Sequence, residues 1–305
     1  MTPAAAMPTL TYQGQALEAD HLQIMKDSSP LLGDVGTLRQ RMSEDGYLYL
    51  PGMLGRERVL RARRVILERL AKYNLLDPAA DLDDAIAHPA NRSNFAGGRL
   101  DELFDDPNPI EDVLYRGPMM DFFRAFLAAE VLHYDFTWMR QVPPGPATGI
   151  HSDVVYMGRG THQLYTAWTP MGDNSFDLGG LLVLEGSHKH EGLRKAYWQS
   201  DVDAFCVNRA DQRDGWAKGH DGGLKGSAQQ LRRSLGGTWR TADYRAGDVV
   251  IFNVYTVHGG TDNRSNRMRL STDTRYQRAG DAVDERWVGE KPVGHGPGGK
   301  RGKIC

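Results

Sequence analysis

DVVIFNVYTVHGG, residues 248–260, is the most apolar run of the chain, and it ends on an imidazole followed by two glycines. Val, Ile, Phe and Tyr suit a pleated, buried strand. The Gly-Gly pair marks a turn. A polar residue at the mouth of a buried strand is where a barrel would place a ligand, which makes His258 a candidate. Alone it is weak, because a strand-end histidine is more often a satisfied core or turn residue.

Working outward, the whole region from about residue 134 has this character. DFTWMRQV, QLYTAWTPM, GGLLVLEG, TWRTADY and MRLSTDTRYQ are short runs rich in Val, Ile, Thr, Tyr and Trp, with Gly, Pro, Asn or Asp at or near their ends. Such a series predicts an all-β sandwich or barrel. Residues 187–237 interrupt it with a polar, Gly-rich insertion, expected to be a lid or site wall. The first third reads helical instead. DVGTLRQRMSEDG predicts a helix ending at Gly46, followed by the short alternating strand YLYLPG. Residues 57–76 place Val59, Leu60, Val65, Ile66, Leu67 and Leu70 at helical spacing with arginines opposite. Residues 77–109 read as a long loop, and 110–132 as helix broken at Gly117-Pro118. The expectation is one domain over 1–305. It has a mainly helical buttress over 1–133, a β core over 134–276 and an irregular Gly/Pro-rich tail over 277–305.

Composition narrows the function by exclusion. Of 305 residues, 40% are hydrophobic and the formal net charge is −2, so no long-range field would draw nucleic acid or an anionic membrane. Mean hydropathy is −0.52. No run of about 18 apolar residues is present to span a membrane. Two cysteines, Cys206 and Cys305, make neither a disulfide framework nor a Cys-rich zinc module. The opening MTPAAAMPTLTYQGQ lacks the features of a secretory signal, and a cytoplasmic setting is expected. The terminal KIC matches no peroxisomal or prenylation signal.

The chemistry starts at GIHSDVVYM, residues 149–157. On an extended chain residues i and i+2 share a face, so His151 and Asp153 would point to one spot and Ser152 away. A His and a carboxylate are two-thirds of the 2-His-1-carboxylate facial set of non-haem Fe(II) oxygenases. His258 is the candidate third ligand. A lone His-x-Asp is common by chance and is usually a surface or capping pair. Downstream, Arg269 and Ser271 also stand two apart in NRSNRMRLSTDTRY. An arginine facing into a β core is costly unless it meets an anion. Its planar fork suits a carboxylate, and the serine adds a donor. The bland reading, solvated strand-face charge, suits three of the four arginines 264, 267, 269 and 275.

HSD at 151–153, AWTPMGD at 167–173, GGLLVLEGSHK at 179–189, AGDVVIF at 246–252 and the His258-to-Arg269 spacing of eleven together resemble the phytanoyl-CoA dioxygenase family. DGYLYLPGML is a weaker N-terminal match. The resemblance implies a double-stranded β-helix (jelly roll, cupin-like) core, buttressed by the N-terminal helices. It implies Fe(II) held by His151, Asp153 and His258, with 2-oxoglutarate and O2 as co-substrates. Arg269, assisted by Ser271, would bind the C5 carboxylate of 2-oxoglutarate, and Trp168 matches a family tryptophan near it. Where the family usually has a lysine before a Pro-Pro turn, this chain has Val142, so Gln141 and Arg140 are the candidates for that contact. Thr161 or Gln163 would line the pocket. The implied reaction oxidises an unactivated C–H of a small molecule, releasing succinate and CO2. Related halogenases lack the carboxylate, so Asp153 argues for hydroxylation or another oxidation.

The rival is a metal-binding, cupin-like protein without oxygenase activity, an isomerase or a binding module. It would need the ligands but not Arg269. A hydrolase triad through Ser152 has no nucleophile elbow around it. GHGPGG at 294–299 matches a dinucleotide fingerprint only in letters, with no strand before or helix after it. His188 and His190 read as structural, and His162, His220 and His295 as solvent or loop residues. Arg194, Lys195, Arg232 and Arg233 would offer an acyl-CoA phosphate patch but read better as surface charge. Trp198 and Trp216 would wall a substrate pocket or pack the lid.

Overall fold

The computed structural model of the chain describes residues 7–90, 98–104, 108–208 and 222–304. Its first part holds β1 (Thr11–Tyr12), β2 (Gln15–Ala16), β3 (Leu22–Ile24), α1 (Val35–Asp45), β4 (Tyr47–Leu50) and α2 (Arg56–Lys72). Next come α3 (Leu100–Leu103), α4 (Pro109–Leu114), α5 (Gly117–Leu127), β5 (Val131–His133), β6 (Trp138–Val142), α6 (Val154–Met157), β7 (Tyr165–Pro170) and β8 (Leu181–Leu184). The chain closes with α7 (Glu191–Lys195), β9 (Ala204–Cys206), α8 (Ala228–Leu235), β10 (Trp239–Thr241), β11 (Val249–Asn253), β12 (His258–Gly260), β13 (Arg269–Arg278) and β14 (Arg301–Lys303).

Two sheets carry the core. One runs β4-β11-β7-β13-β5, with β6 also paired to β13; the other runs β12-β8-β10-β3. The run VVIF shows how they pack. Val249 and Ile251 join Leu48, Leu50 and Ala167 against the helices. Val250 and Phe252 join Tyr47, Tyr49 and Trp168 against Leu181 and Val183 of the second sheet and Tyr244 just after β10. Both faces of the strand are buried, so it is apolar throughout rather than alternating. The outer face of the second sheet, with Leu182 and Leu184, is covered by Leu193, Trp198 and Leu231 from residues 187–237 and by Leu10 and Leu17 from the N-terminal segment. Fold class is therefore mainly β with flanking helices, in a jelly-roll arrangement.

The helices follow their sequence signals. Asp34 caps α1 by accepting from Thr37 N–H at 3.0 Å, and Gly46 ends the helix at φ 84°. That left-handed turn is cheap only for glycine. A Cβ on Gly46 would lie 2.4 Å from His188 Nδ1 and 3.0 Å from Thr256 Oγ1. The close approach lets Gly46 O accept from Thr256 Oγ1 at 2.7 Å, anchoring the chain two residues before His258. In α2, Val59, Ala62, Ile66, Leu67 and Leu70 are buried. Helix α5 buries Phe123, which stacks on Tyr276 of β13 with ring centroids 4.1 Å apart.

Several sequence expectations are corrected. The first third holds more strand than expected: besides β4, which falls on the strand expected at YLYLPG, β3 joins the smaller sheet and β5 extends the larger one. Val131 and Leu132, read as the end of a helix, pair instead with Arg278 and Gln277. The tail is not simply irregular. Its β14 pairs with β9, Trp287 is buried, and Arg286, His295 and Lys300 all reach Asp203. Among the described residues no helix is long and apolar enough to cross a membrane.

Candidate metal centre

His151 and His258 are brought together by backbone pairing. Each N–H donates to the other's carbonyl at 2.8 Å, across an isolated antiparallel bridge at the start of β12. Directly after the bridge the chain turns, and Asp153 becomes the N-cap of α6 with φ −65° and ψ −25°. This corrects the strand reading of GIHSDVVYM: the two side chains converge through a bridge and a helical turn, not through strand alternation. Asp153 Oδ1 lies 3.7 Å from His151 Nε2 and 3.8 Å from His258 Nε2. One ligand atom from each residue falls within 4.8 Å of the others. His151 Nδ1 faces Gly149 O at 2.8 Å and His258 Nδ1 faces Thr256 O at 3.0 Å. A ring nitrogen against a carbonyl must carry the proton, which turns the lone pair of each Nε2 toward the common point. Ser152 points away, as expected, but into the core. Its Oγ donates to Tyr255 O and accepts from Trp198 Nε1, tying the 187–237 segment to the back of the site.

The second oxygen of Asp153 is held from behind. Oδ2 accepts from Thr166 Oγ1 at 2.5 Å and from Arg275 Nη2 at 3.1 Å. Arg275 is itself fixed, lying 4.4 Å from the centre of the Trp138 ring. Burial alone would raise the Asp153 carboxyl, but Arg275, His258 and His151 outweigh it and hold the group well below the usual carboxylate range. Burial, with His151 adding to it, pushes His258 down to about 4. Both ligands therefore stand in the deprotonated state that a metal requires.

Arg275, one of the four arginines for which sequence favours solvated strand-face charge, is buried and paired with Asp153. The signal was present. On β13 the residues 269, 271, 273 and 275 share one face, so Arg269, Ser271, Asp273 and Arg275 form a polar row, while Leu270 and Tyr276 face the helices. Thr166 carried no sequence signal, since β-strand threonines are ordinary.

Arg269, Trp168, Leu181 and Arg140 line a cavity that opens beside His151 and His258. Arg269 is 4% exposed, yet among the described residues its Nε has no partner, and neither has the Oγ of buried Ser271. Burial lowers the Arg269 guanidinium to about 10, still charged at neutral pH. A buried cation and hydroxyl without an acceptor are the complement of an anion. Trp168 is buried and packs on Tyr244 at 4.7 Å. Register decides between the two remaining candidates. Arg140 pairs with Ser271 and shares its face, whereas Gln141 pairs with Leu270 on the opposite face and donates to Met139 O. The structure brings Arg140 to the cavity and does not bring Gln141. Thr161 and Gln163 are also elsewhere: Thr161 N–H donates to Ala282 O, and Gln163 N–H to Thr161 Oγ1.

The decoys sort in the same way. His188 Nε2 bonds Ser43 O, while His190 Nδ1 accepts from Leu193 N–H to cap α7, so the two do not converge. His162 meets the Tyr255 hydroxyl. His295, expected to face solvent, instead bonds Asp203 at 2.7 Å. Arg232 and Arg233 both pair with Glu18, which breaks up the supposed phosphate patch. Trp198 is buried; Trp216 and His220 lie outside the described residues.

Two imidazoles, one carboxylate and a buried guanidinium facing a cavity on a jelly roll fit iron and 2-oxoglutarate, and they define a non-haem, 2-oxoglutarate-dependent dioxygenase. The chain belongs to the phytanoyl-CoA dioxygenase (PhyH) family, whose model matches residues 42–271. It is 30% identical over 278 residues to a 1-deoxypentalenic acid 11-beta-hydroxylase of Streptomyces exfoliatus, covering 85% of this chain and 87% of that one. Its fold is similar to that of a non-heme alpha ketoglutarate dependent carbocyclase from nogalamycin biosynthesis, with TM-score 0.57 and 18% identity over 85% of this chain and 89% of the other. It is equally similar to EctD from S. alaskensis with bound Fe, with TM-score 0.57 and 16% identity over 88% of each chain. The reading as a cupin-like protein without oxygenase activity is set aside on these findings.

Proposed function

We propose that His151, Asp153 and His258 hold Fe(II), that Arg269 and Ser271 receive the C5 carboxylate of 2-oxoglutarate, and that the outcome is hydroxylation of a small organic molecule. The observation that carries the ligand assignment is the convergence of three ligand atoms within 4.8 Å, beside a buried guanidinium whose Nε has no partner among the described residues. Hydroxylation, rather than another oxidation, is supported by the 30% identical hydroxylase and by the intact carboxylate at Asp153.

With its co-substrates, bound iron supplies an oxidant able to take hydrogen from an unactivated C–H bond. This chain's residues do the rest. Thr166 and Arg275 keep Asp153 ionised and turned toward the histidines. The carbonyls of Gly149 and Thr256 hold both rings in the ligating tautomer. Trp168 and Leu181 wall the cavity and keep water from the reacting centre.

The test is anaerobic addition of Fe(II) and 2-oxoglutarate, which should produce a weak visible charge-transfer band. Succinate release is then measured against a metabolite panel that begins with 1-deoxypentalenic acid. Iron binding without the band would overturn the assignment. So would a His151→Ala protein that keeps both its fold and its iron.

A further inference from the structure

The peptide that joins Gly149 to Ile150 is held at both ends. Its carbonyl, Gly149 O, accepts from His151 Nδ1 at 2.8 Å, and its N–H, on Ile150, donates to the Tyr12 hydroxyl at 3.1 Å. A peptide unit is planar, so whatever orients the N–H orients the carbonyl with it. An N–H already engaged also makes its own carbonyl a stronger acceptor. Tyr12 and Ile150 are both buried, so solvent does not stand in for the hydroxyl. Tyr12 thus reaches, through one peptide and one imidazole, the Nε2 of His151 that faces the common point.

Tyr12 stands on the β1-β2 hairpin, which lies outside the family match at 42–271. The two-residue turn of that hairpin, Gln13-Gly14, has φ 49° and 79°. A non-glycine residue in this region is strained and persists only where its surroundings fix it. Asp262, the fourth residue after His258, does so: Oδ1 accepts from Gln13 N–H at 2.8 Å and Oδ2 from Gly14 N–H at 2.9 Å. The same Oδ1 accepts from Ala147 N–H at 2.8 Å. Backbone bridges tie Gly145 to Asn263 and His151 to His258. Between them, the N–H groups of Ala147 and Ile150 go to Asp262 and Tyr12 rather than to the opposite strand. Leu10, Tyr12 and Leu17 share one buried cluster with Ile150 and Val257, so the hairpin is seated on both ligand-bearing segments.

We infer that the β1-β2 hairpin is a clasp for the metal centre. Tyr12 is a positioning residue that orients His151 through the Gly149–Ile150 peptide, and Asp262 is the residue that seats the hairpin. This rests on the ligand assignment above and adds to it a positioning element from outside the matched region.

Tyr12→Phe keeps the buried ring and removes the hydroxyl. In the full-length, iron-free protein, nitrogen NMR of the histidine rings reads which nitrogen of neutral His151 carries the proton, with His151→Ala assigning the signal. The Nδ1-protonated form should dominate in the unmodified protein and lose ground to the Nε2-protonated form in Tyr12→Phe. Anaerobic Fe(II) titration of Tyr12→Phe should show affinity weakened about three- to tenfold, below the loss expected for a group that touches a ligand directly. Asp262→Asn should move both readouts in the same direction. Leu17→Ala, which trims packing in the same segment without touching these hydrogen bonds, should lower the urea midpoint yet keep the tautomer and hold the Fe(II) Kd within about twofold. An unchanged tautomer in Tyr12→Phe, with Fe(II) binding as tight as in the unmodified protein, would overturn the inference. So would equal weakening of Fe(II) binding by Leu17→Ala, which would reduce the hairpin to a purely structural role. An unmodified protein that binds no Fe(II) would instead sink the ligand assignment, while the tautomer of the iron-free protein still decides the role of Tyr12.

Discussion

Thr166→Val isolates what the rear support of Asp153 contributes. The substitution keeps the branched shape and removes one hydroxyl donor to Oδ2, a bond of 2.5 Å between buried groups. A hydrogen bond to a charged group contributes about 1.5–3 kcal/mol, but Arg275 stays in place at 3.1 Å, so part of that is retained. Loss of an outer-shell partner of this kind lowers metal affinity about 10–100-fold. The expectation is the lower end, about tenfold, or about 1.4 kcal/mol. Arg275→Lys removes the planar donor but keeps the charge, and should fall in the same range. Each partner covers in part for loss of the other at one oxygen, so the double variant should lose more than the sum of the single effects. The assay is anaerobic Fe(II) titration by calorimetry, with circular dichroism to confirm the fold. If both single variants bind Fe(II) within twofold of the unmodified protein, Oδ2 is not what positions the carboxylate, and the argument for these residues fails.

Arg269→Gln should bind Fe(II) normally and weaken 2-oxoglutarate by about 100-fold, as expected for about 3 kcal/mol of charge-assisted bonding; titration of the charge-transfer band reads both. Gly259→Ala places a Cβ 2.9 Å from Ile150 Cγ1 and 3.3 Å from its Cα, next to the His151–His258 bridge. It should cost about 1–3 kcal/mol in urea unfolding and weaken Fe(II) binding as well. Asp203 is fully buried and accepts from Arg286, His295 and Lys300. Burial raises its pKa, but His295 and Lys300 outweigh it and leave it far below the usual carboxylate range. A depressed carboxyl contributes stability that is present above its unfolded value of about 3.9 and is lost as pH falls below that. The urea midpoint of the unmodified protein should therefore drop more steeply from pH 5 to pH 3 than that of Asp203→Asn, and parallel curves would refute the assignment.

Much of the site was legible because ligating chemistry uses few residue types at restricted spacings. His151, Asp153, His258 and Arg269 stood out as candidates by residue type and position, and the family resemblance joined them into one proposed site; the β character after residue 134 showed in the short strand-like runs themselves. Other features were not legible. β3 drew no strand reading, because its parallel pairing with β10 is non-local and leaves no trace in a short window. Gln141 and Arg140 were equivalent in sequence; only the register of β6 on β13, set by which face meets the helices, separated them.

By itself, the sequence determined the donor set. It supplied two imidazoles, a carboxylate and a guanidinium, with apolar runs long enough to bury them. The tertiary structure decided how they meet. Asp153 reaches the site because a backbone bridge stops at His151 and the chain coils into α6, a turn no periodicity announces. Arg275 becomes its counter-ion because β13 lays four polar side chains on one face, with Asp153 at one end and Arg269 at the other. The physical reason is burial. A charge in water needs no particular neighbour, but one withdrawn from it must find a partner, and only the packed fold says which is within reach.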